Sequence, residues 1–240
     1  MPLQKRIRGT NFDKLAILRG HPMFGLLDPD TIEHLASYAH TKSATAGTTI
    51  FAKGDPGTSL FAVCTGTVKI FNRSLDGKDA VFNLIEAGEI FGEIALLDGR
   101  SRTADAVAMT DCELMVIDRR EFIPLVQSRP DIALKLIEAL CGKLRHTTEQ
   151  VEDVLFLDLP ARLAKTLLWL VKNNKSSTAG RVTITQREIG QIIGMSREST
   201  NKQLRQWELR KWVRLERGGV AILDLDALAE VADSDLADDN

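Results

Sequence analysis

Cysteine is scarce in this sequence, and long apolar runs are missing. The three cysteines, Cys64, Cys112 and Cys141, lie far apart, and none belongs to a CxxC pair or to a cysteine–histidine cluster. This spacing argues against a disulfide framework, a metal site or an iron–sulfur centre, and it fits reduced, buried thiols. No apolar run approaches the roughly 20 residues that span a bilayer.

Signs of secretion and of enzymatic chemistry are also missing. The N-terminus, MPLQKRIRGTNFDKL, is basic, but no apolar stretch follows it, so no signal peptide is expected. The histidines at positions 21, 34, 40 and 146 do not cluster, and no nucleophile–base pair or metal-ligand set stands out. We therefore expect a cytoplasmic protein that is not an enzyme, binds no metal and contacts no membrane.

Charge is present but unevenly distributed, although the net charge is only −2. Residues 1–158 carry 18 Lys and Arg against 22 Asp and Glu, whereas residues 159–220 carry 13 against 4. A local excess of this size is typical of a surface that meets a polyanion such as DNA. A solvated basic face is the alternative. Residues 221–240 carry no basic residue and 7 acidic ones, and VADSDLADDN resembles a frayed acidic tail.

The first half of the chain changes from helical to strand-rich character. Residues 10–40 have helical spacing, interrupted by the turn region HPMFGLLDPD. From about residue 41 to 118 there are short β-rich runs such as TTIFAK, SLFAVCTGTVKIF, AVFNLI and CELMVID, separated by Gly and Asp turn signals. Many short strands at close spacing predict an antiparallel β-barrel or jelly roll, so the expected fold class is α+β.

A long helix is predicted from Pro130 to the Leu159-Pro160 step. Apolar or small residues recur along it at steps of three or four: Leu136, Leu140, Leu144, Thr147, Val151 and Val154. A seam of about three heptads is typical of a coiled-coil contact, so we favour dimerisation over packing on the helix's own domain.

The C-terminal part of the sequence predicts a winged helix-turn-helix. An amphipathic helix over residues 161–173 and a polar loop, NNKSSTAG, precede the strand RVTIT and two short helices in TQREIGQIIGMSRESTNKQLRQW. VRLERGGVAIL then predicts a hairpin with Gly218-Gly219 at its tip. The predicted domains are therefore a sensor with N-terminal helices (1–128), a dimerisation helix (129–158), a DNA-binding domain (159–225) and an acidic tail (226–240).

The segment FGEIALLDGRSRTA, residues 91–104, combines the groups that a cyclic nucleotide requires. Gly92 permits close backbone approach, and residues 93–97 predict one short helical turn with free N–H groups. Glu93 is suited to accept from a ribose hydroxyl, and Arg102 to pair with a phosphate through two parallel N–H bonds, with Thr103 beside it. In isolation these charges would be surface residues, but the β-rich setting favours a site.

The two-helix unit carries the signals of a DNA-reading element. Thr185 and Glu188 match a capping box, Gly194 suits the tight turn, and Ser196 suits the cap of the second helix. Arg197 and Glu198 then lie where such helices meet base edges, with Lys202 one turn on. A surface ion pair between Glu198 and Lys202 is the alternative.

From about residue 15 to 223, the chain resembles the cyclic-AMP receptor protein family within the CRP/FNR superfamily. The resemblance rests on three segments that occur in the same order as in the family: residues 91–104, HTTEQVEDVLFLDLPARLAKTLL and ITQREIGQIIGMSRES. It implies cyclic AMP as ligand and assigns ligand contacts to Gly92, Glu93, Ile94, Arg102, Thr103, Thr147 and Thr148. It assigns base readout to Arg197, Glu198 and Lys202, and DNA-phosphate contacts to Thr185, Arg187, Ser196 and Ser199.

Two features of the resemblance leave alternatives open. Thr147 and Thr148 are expected at the adenine, although their hydroxyls could instead bond back to helix carbonyls. Many family members have Ser where this chain has Thr103. The chain resembles cyclic-GMP-responsive kinases and channels at this position, because they have Thr there. The resemblance therefore makes cyclic GMP a second expected ligand.

The expected function is that of a homodimeric transcription regulator that binds cyclic AMP, or cyclic GMP, and a palindromic double-stranded DNA site. RNA polymerase is a further expected partner. Three alternatives remain: a superfamily member that senses redox state or haem, a nucleotide-binding regulatory subunit of an enzyme, and an enzyme.

Overall fold

In a computed structural model, the described residues are 14–20, 24–25, 27–75, 77, 79–173 and 180–233. Their helices are α1 Lys14–Gly20, α2 Pro29–Tyr38, α3 Glu93–Asp98, α4 Arg119–Ser128, α5 Pro130–Phe156, α6 Leu159–Asn173, α7 Gln186–Ile193, α8 Arg197–Leu209 and α9 Leu225–Asp233. Their strands are β1 His40–Ala44, β2 Thr49–Phe51, β3 Ser59–Thr65, β4 Val68–Arg73, β5 Asp79–Ile85, β6 Ile90–Phe91, β7 Asp105–Ala108, β8 Cys112–Asp118, β9 Arg181–Val182, β10 Val213–Glu216 and β11 Gly219–Ile222.

Two four-stranded antiparallel sheets form the first domain, with strand orders β1-β8-β3-β6 and β2-β7-β4-β5. An apolar core that includes Val63, Phe91, Ala106 and Leu114 lies between them. The predicted antiparallel, strand-rich domain is thereby confirmed, and its two sheets correspond to a jelly roll. β1 and β6 were not predicted from the sequence, because β1 is mostly polar and exposed and β6 is only two residues long.

The helix α5 begins at Pro130, as predicted, and continues for 27 residues. The predicted seam is wrong in its first half: Leu136 is buried, and Leu140 packs half-buried against the core of the chain's own first domain. A different face of α5 is exposed. Its positions alternate at steps of three and four, and we call them the exposed stripe: Leu134, Ile137, Cys141, Leu144, Thr148, Val151 and Leu155.

The second domain contains the remaining helices and a three-stranded sheet of order β10-β11-β9. Two details differ from the prediction. The strand expected over RVTIT is only Arg181–Val182, and the hairpin tip is Arg217-Gly218, because Gly219 already pairs with Glu216. Most of the predicted NNKSSTAG loop lies outside the described residues.

The acidic tail predicted from residue 226 is wrong for its first part, since residues 225–233 form α9. Leu228 is fully buried in the core of the second domain, and Val231 packs against that core. The helix forms because Leu225, Leu228 and Val231 follow a helical spacing that the acidic residues between them conceal. The remainder of the predicted tail lies outside the described residues.

The two domains contact one another directly. A single apolar cluster joins Phe71, Val81 and Leu84, from β4 and β5, to the interior of the second domain. Beside it, Gln191 of α7 donates to the Asp79 carboxylate (3.3 Å) and accepts from Lys69 (3.4 Å). These contacts place α6 and α7 against the outer face of the sheet that contains β4 and β5.

None of the helices in the described ranges is long and apolar enough to cross a membrane.

Candidate functional site

A cavity of about 980 Å³ lies where the first domain, α5 and α6 meet. It is lined by six of the seven residues predicted to contact ligand, Gly92, Glu93, Ile94, Arg102, Thr103 and Thr147. The size is within the range of small-molecule sites. The structure therefore brings together residues that are separated by more than 50 positions in sequence.

Arg102 is a buried cation, with only 5% of its surface exposed. Its Nη1 donates to the Gly92 carbonyl and its Nη2 to the Ser59 carbonyl, both at 2.7 Å. Its guanidinium also lies over the Phe51 ring, 4.3 Å from the centroid. Burial lowers the pKa of the Arg102 guanidinium, while Glu93 and Asp55 oppose that shift. These contacts orient the side chain before any ligand arrives.

The Arg102 charge lacks a paired anion in the described part of the chain. No carboxylate there forms an ion pair with it, and nothing accepts a hydrogen bond from its Nε. A guanidinium carries five N–H donors, and the two carbonyl contacts use two of them. Because an unpaired buried charge is costly, the geometry suits an anionic ligand group.

Gly92 is required at its position for two reasons. Its φ of 81° is in the left-handed region, and a Cβ added there would lie 2.6 Å from the Nη1 of Arg102. Any larger residue would therefore displace the guanidinium. Directly after it, α3 forms over Glu93–Asp98, which confirms the predicted short helical turn.

Glu93 is buried and pairs with Lys143 of α5, whose Nζ lies 2.8 Å from Oε1. Lys143 also donates to the Ile90 carbonyl at 3.1 Å. Lys143 was not predicted as a site residue from the sequence, although it lies one helical turn before Thr147. A carboxylate accepts several hydrogen bonds, so this pair leaves capacity for a ligand hydroxyl.

The two threonines on α5 differ in position. Thr147 lines the cavity, whereas Thr148 lies on the exposed stripe and does not line it. Their hydroxyls donate to the Lys143 and Leu144 carbonyls, at 2.9 and 3.0 Å, which is the alternative that the sequence left open. The oxygen of each hydroxyl retains acceptor capacity, and the contact of both residues with adenine stays a prediction.

An aromatic group that sequence reasoning missed lies at the end of the cavity near Thr147. It comprises Phe82 of β5, His146 of α5 and Trp169 of α6. The His146 and Trp169 rings are stacked, with centroids 5.2 Å apart and planes 18° from parallel. Their chemistry suits a flat, apolar face such as a nucleobase.

The helix-turn-helix has the predicted local geometry. Thr185 and Glu188 form a capping box, Gly194 has a φ of 72°, and Ser196 caps α8 by accepting from the Ser199 N–H at 3.1 Å. The role of Gly190 was not predicted from the sequence: a Cβ added there would lie 2.9 Å from the Met195 carbonyl oxygen. Gly190 therefore allows α7 to approach the turn before α8 closely.

The predicted base-reading residues, Arg197, Glu198 and Lys202, are all exposed on the first turns of α8. No ion pair joins Glu198 to Lys202 in the described structure, so the alternative of a surface pair is not realised. Arg187 is also exposed, and other residues predicted at phosphates already make local hydrogen bonds. Ser196 and Ser199 bond to each other at 3.0 Å, and Thr185 to Glu188 at 2.7 Å.

Within the described ranges, no group of three or more His, Cys, Asp and Glu side chains is placed to hold a metal ion.

Two known protein families match this chain, one in each half. Residues 41–129 match the cyclic nucleotide-binding domain, and residues 161–231 match the Crp-like helix-turn-helix domain. The chain is 34% identical over 220 residues to the CRP-like cAMP-activated global transcriptional regulator of Mycobacterium tuberculosis (strain ATCC 25618 / H37Rv), covering 90% of this chain and 98% of that protein. It is 32% identical over 185 residues to the cAMP-activated global transcriptional regulator CRP of Escherichia coli O157:H7, covering 75% and 88%.

Solved structures agree with these matches. The c-di-GMP responsive global regulator CLP of Xanthomonas campestris aligns with a TM-score of 0.71 and 25% identity, covering 81% of this chain and 99% of that one. The catabolite activator protein of Thermus thermophilus aligns with a TM-score of 0.51 and 30% identity, covering 89% and 99%. The relatives are transcription regulators rather than enzymes. The chain therefore belongs to the CRP-like transcription regulators of the CRP/FNR superfamily, with a cyclic nucleotide-binding domain followed by a helix-turn-helix DNA-binding domain.

Proposed function

We propose that this regulator binds cyclic AMP in the cavity beside α5 and, as a homodimer, reads a palindromic DNA site. The observation that carries the proposal is the buried, unpaired guanidinium of Arg102, oriented by two carbonyls and an aromatic ring. A cyclic phosphate supplies the missing negative charge, and parallel N–H bonds give it a defined orientation.

Each part of the nucleotide has a suitable partner in the cavity. The phosphate contacts Arg102 and Thr103, with Gly92 and Ile94 beside it, and the ribose hydroxyl donates to Glu93, which Lys143 holds in place. The base extends towards Thr147. Thr148 faces away from the cavity, so it reaches a base only from the α5 helix of a second copy.

Calorimetric titration of the purified protein with cyclic AMP tests the ligand. We expect saturable binding with a Kd of micromolar or tighter, accompanied by thermal stabilisation, since a ligand that binds only the folded state stabilises it. No heat at several temperatures together with no thermal shift would overturn the proposal for the sensor. The family assignment of the DNA-binding half would still stand.

Cyclic GMP is the second candidate ligand, because the exposed hydroxyl of Thr103 lines the same cavity and is suited to the guanine amino group. The same titration therefore includes cyclic GMP, and also cyclic di-GMP, to which a structural relative responds. Tighter binding of either than of cyclic AMP would reassign the ligand. Thr103→Val, which removes the hydroxyl and keeps the branched shape, should then reduce affinity for cyclic GMP more than for cyclic AMP.

The exposed stripe on α5 supports the proposed homodimer. Leu134, Ile137, Leu144, Val151 and Leu155 are each more than half exposed. The seven positions of the exposed stripe alternate at steps of three and four, which is the heptad pattern by which two parallel helices bury apolar residues. A second copy of the same helix covers this stripe, with like positions facing each other across a two-fold axis.

Cys141 provides a direct test of this register, because it lies on the stripe between Ile137 and Leu144 and is exposed. We expect copper phenanthroline to convert the wild-type protein into a disulfide-linked dimer. In a parallel pair of α5 helices, the two Cys141 residues face each other and are close enough to form a disulfide. Non-reducing electrophoresis measures the product. Cys141→Ser should remain monomeric on that gel, although it should still be dimeric by light scattering.

The other two cysteines are natural controls for this reaction. Burial raises the pKa of Cys64 to about 11 and also raises that of Cys112. Since the thiolate is the reactive form, neither should cross-link. A wild-type protein that is monomeric by light scattering, or a cross-link that persists in Cys141→Ser, would contradict the proposed seam.

The symmetry of the DNA target follows from that of the dimer. Two α8 helices enter successive major grooves when they are one duplex turn, about 34–36 Å, apart. Selection of duplexes from a random pool, with and without cyclic AMP, tests this. We expect an inverted repeat, enriched more strongly with ligand because ligand and DNA binding reinforce each other. An asymmetric single site would contradict the dimer.

RNA polymerase is proposed as the partner of the DNA-bound dimer.

A further inference from the structure

We propose that Trp169, a residue of the DNA-binding domain, forms with His146 the wall on which the ligand's base stacks. The inference rests on the proposed binding of a cyclic purine nucleotide and adds a specificity residue to that site. Its consequence is that the nucleotide touches the DNA-binding domain itself, in addition to the sensor domain and α5.

The first observation is the geometry of the ring pair. Trp169 is half-buried on α6 and stacks on His146 of α5, with centroids 5.2 Å apart and planes 18° from parallel. Both side chains line the cavity that contains Arg102. His146 also precedes Thr147, so a base directed at Thr147 comes within reach of the stacked rings.

The second observation is that the aromatic group separates two cavities. Phe82, His146 and Trp169 line the nucleotide cavity, and they also line a second cavity of about 380 Å³. That second cavity extends to Gln191 and Gly194 at the helix-turn-helix. A base that contacts these rings therefore acts on side chains that also face the DNA-binding unit.

The third observation concerns the helix that carries Trp169. The buried residues Leu163, Leu167 and Leu170 anchor α6 in the interior of the DNA-binding domain. A shift of the α6 backbone at Trp169 would therefore be passed on to that domain, because a close-packed core transmits strain. A ligand that contacts Trp169 more favourably in one domain arrangement than in another will shift the equilibrium between them.

Stacking on an indole predicts a preference among ligands. A purine offers a larger flat face than a pyrimidine, while stacking does not depend on a particular hydrogen-bond pattern. The ring pair should therefore favour cyclic AMP and cyclic GMP over cyclic CMP. Discrimination between the two purines is left to hydroxyls such as those of Thr103 and Thr147.

Titrations of the full-length protein with cyclic AMP and cyclic CMP test the inference. We expect Trp169→Leu to weaken binding of cyclic AMP by about tenfold, in keeping with the loss of one base–aromatic stack. Trp169→Phe retains a ring and should lose no more than about threefold. Cyclic CMP should bind the wild type more weakly and respond less to Trp169→Leu.

Tryptophan fluorescence gives a second readout that requires no unstable variant. Saturating cyclic AMP should quench the wild-type emission, and Trp169→Phe should abolish the quench while still binding ligand. Trp207 is 1% exposed in the core and does not line the cavity, so it provides a constant background. Trp212→Phe is the matched control and should keep the quench. If Trp169→Leu fails to fold, His146→Leu replaces it in the titration.

The outcomes separate this inference from the proposed function. Wild-type protein that binds cyclic AMP without a change in fluorescence, and with the affinity of Trp169→Leu, would overturn the role of Trp169 and leave the proposed function intact. Failure of the wild type to bind any cyclic nucleotide would overturn both. A tenfold loss confined to purine nucleotides, together with the quench, would establish the stack.

Discussion

Arg102→Gln is expected to weaken cyclic AMP binding by about 100-fold or more, because it removes the proposed charge-assisted, bidentate contact with the phosphate. The glutamine is uncharged, so it cannot compensate for desolvation of the phosphate inside the cavity. Calorimetric titration measures the change. The substitution leaves no carboxylate unpaired among the described residues, but it removes the hydrogen bonds to the Gly92 and Ser59 carbonyls, so a thermal melt of the variant without ligand is the control for folding.

Two further variants test whether the loss of affinity is specific to the Arg102 guanidinium. Arg102→Lys keeps the charge but not the planar fork, so we expect an intermediate loss. Arg100→Gln is the matched control: Arg100 is exposed two residues earlier, and its loss should leave affinity unchanged within about twofold. Arg102→Gln that folds normally and binds cyclic AMP within threefold of the wild type would refute the phosphate assignment.

Arg197→Ala is expected to remove most of the sequence preference for DNA. Arg197 is exposed in the first turn of α8, where a recognition helix meets base edges. One bidentate contact with guanine contributes about 1–3 kcal/mol of discrimination, and a dimer loses it in both half-sites. Fluorescence anisotropy with the selected duplex and with a random duplex, both in the presence of cyclic AMP, measures the loss.

The comparison of the two duplexes decides the role of Arg197. Affinity for the selected duplex should fall at least about tenfold, whereas affinity for the random duplex should change little, because only the phosphate attraction of one cation per subunit is lost. Arg205→Ala is the matched control, since Arg205 is exposed farther along the same helix. Equal losses on both duplexes would show that Arg197 contacts phosphate instead of a base.

Features that depend on contacts within a few residues could be predicted from the sequence. The capping box of Thr185 and Glu188, the cap at Ser196 and the turn at Gly194 all formed as predicted. The short helix after Gly92 formed as well. Local propensity determines such features, because every participating group lies within about one helical turn. Six of the seven residues predicted to contact ligand line one cavity, and their contact with a ligand stays a prediction.

Features that depend on distant partners could not be predicted in this way. The carbonyl of Ser59 orients Arg102 from 43 residues away, and Lys143 pairs with Glu93 from 50 residues away. Trp169 reaches the cavity only because α6 docks beside α5. A helical repeat in the sequence indicates that a side chain lies on some face of a helix, but it does not identify what that face meets.

The sequence by itself therefore determined the class of protein, the order of its domains and the local geometry of its motifs. The tertiary structure decided which face of α5 is exposed, because apolar residues occupy two faces of that helix. Leu136 and Leu140 pack against the first domain, and Leu134 and Ile137 are left outside. It also decided that residues 225–233 form a helix, because the buried site of Leu228 outweighs the acidic composition around it. Burial depends on the whole fold, whereas periodicity is a property of one segment.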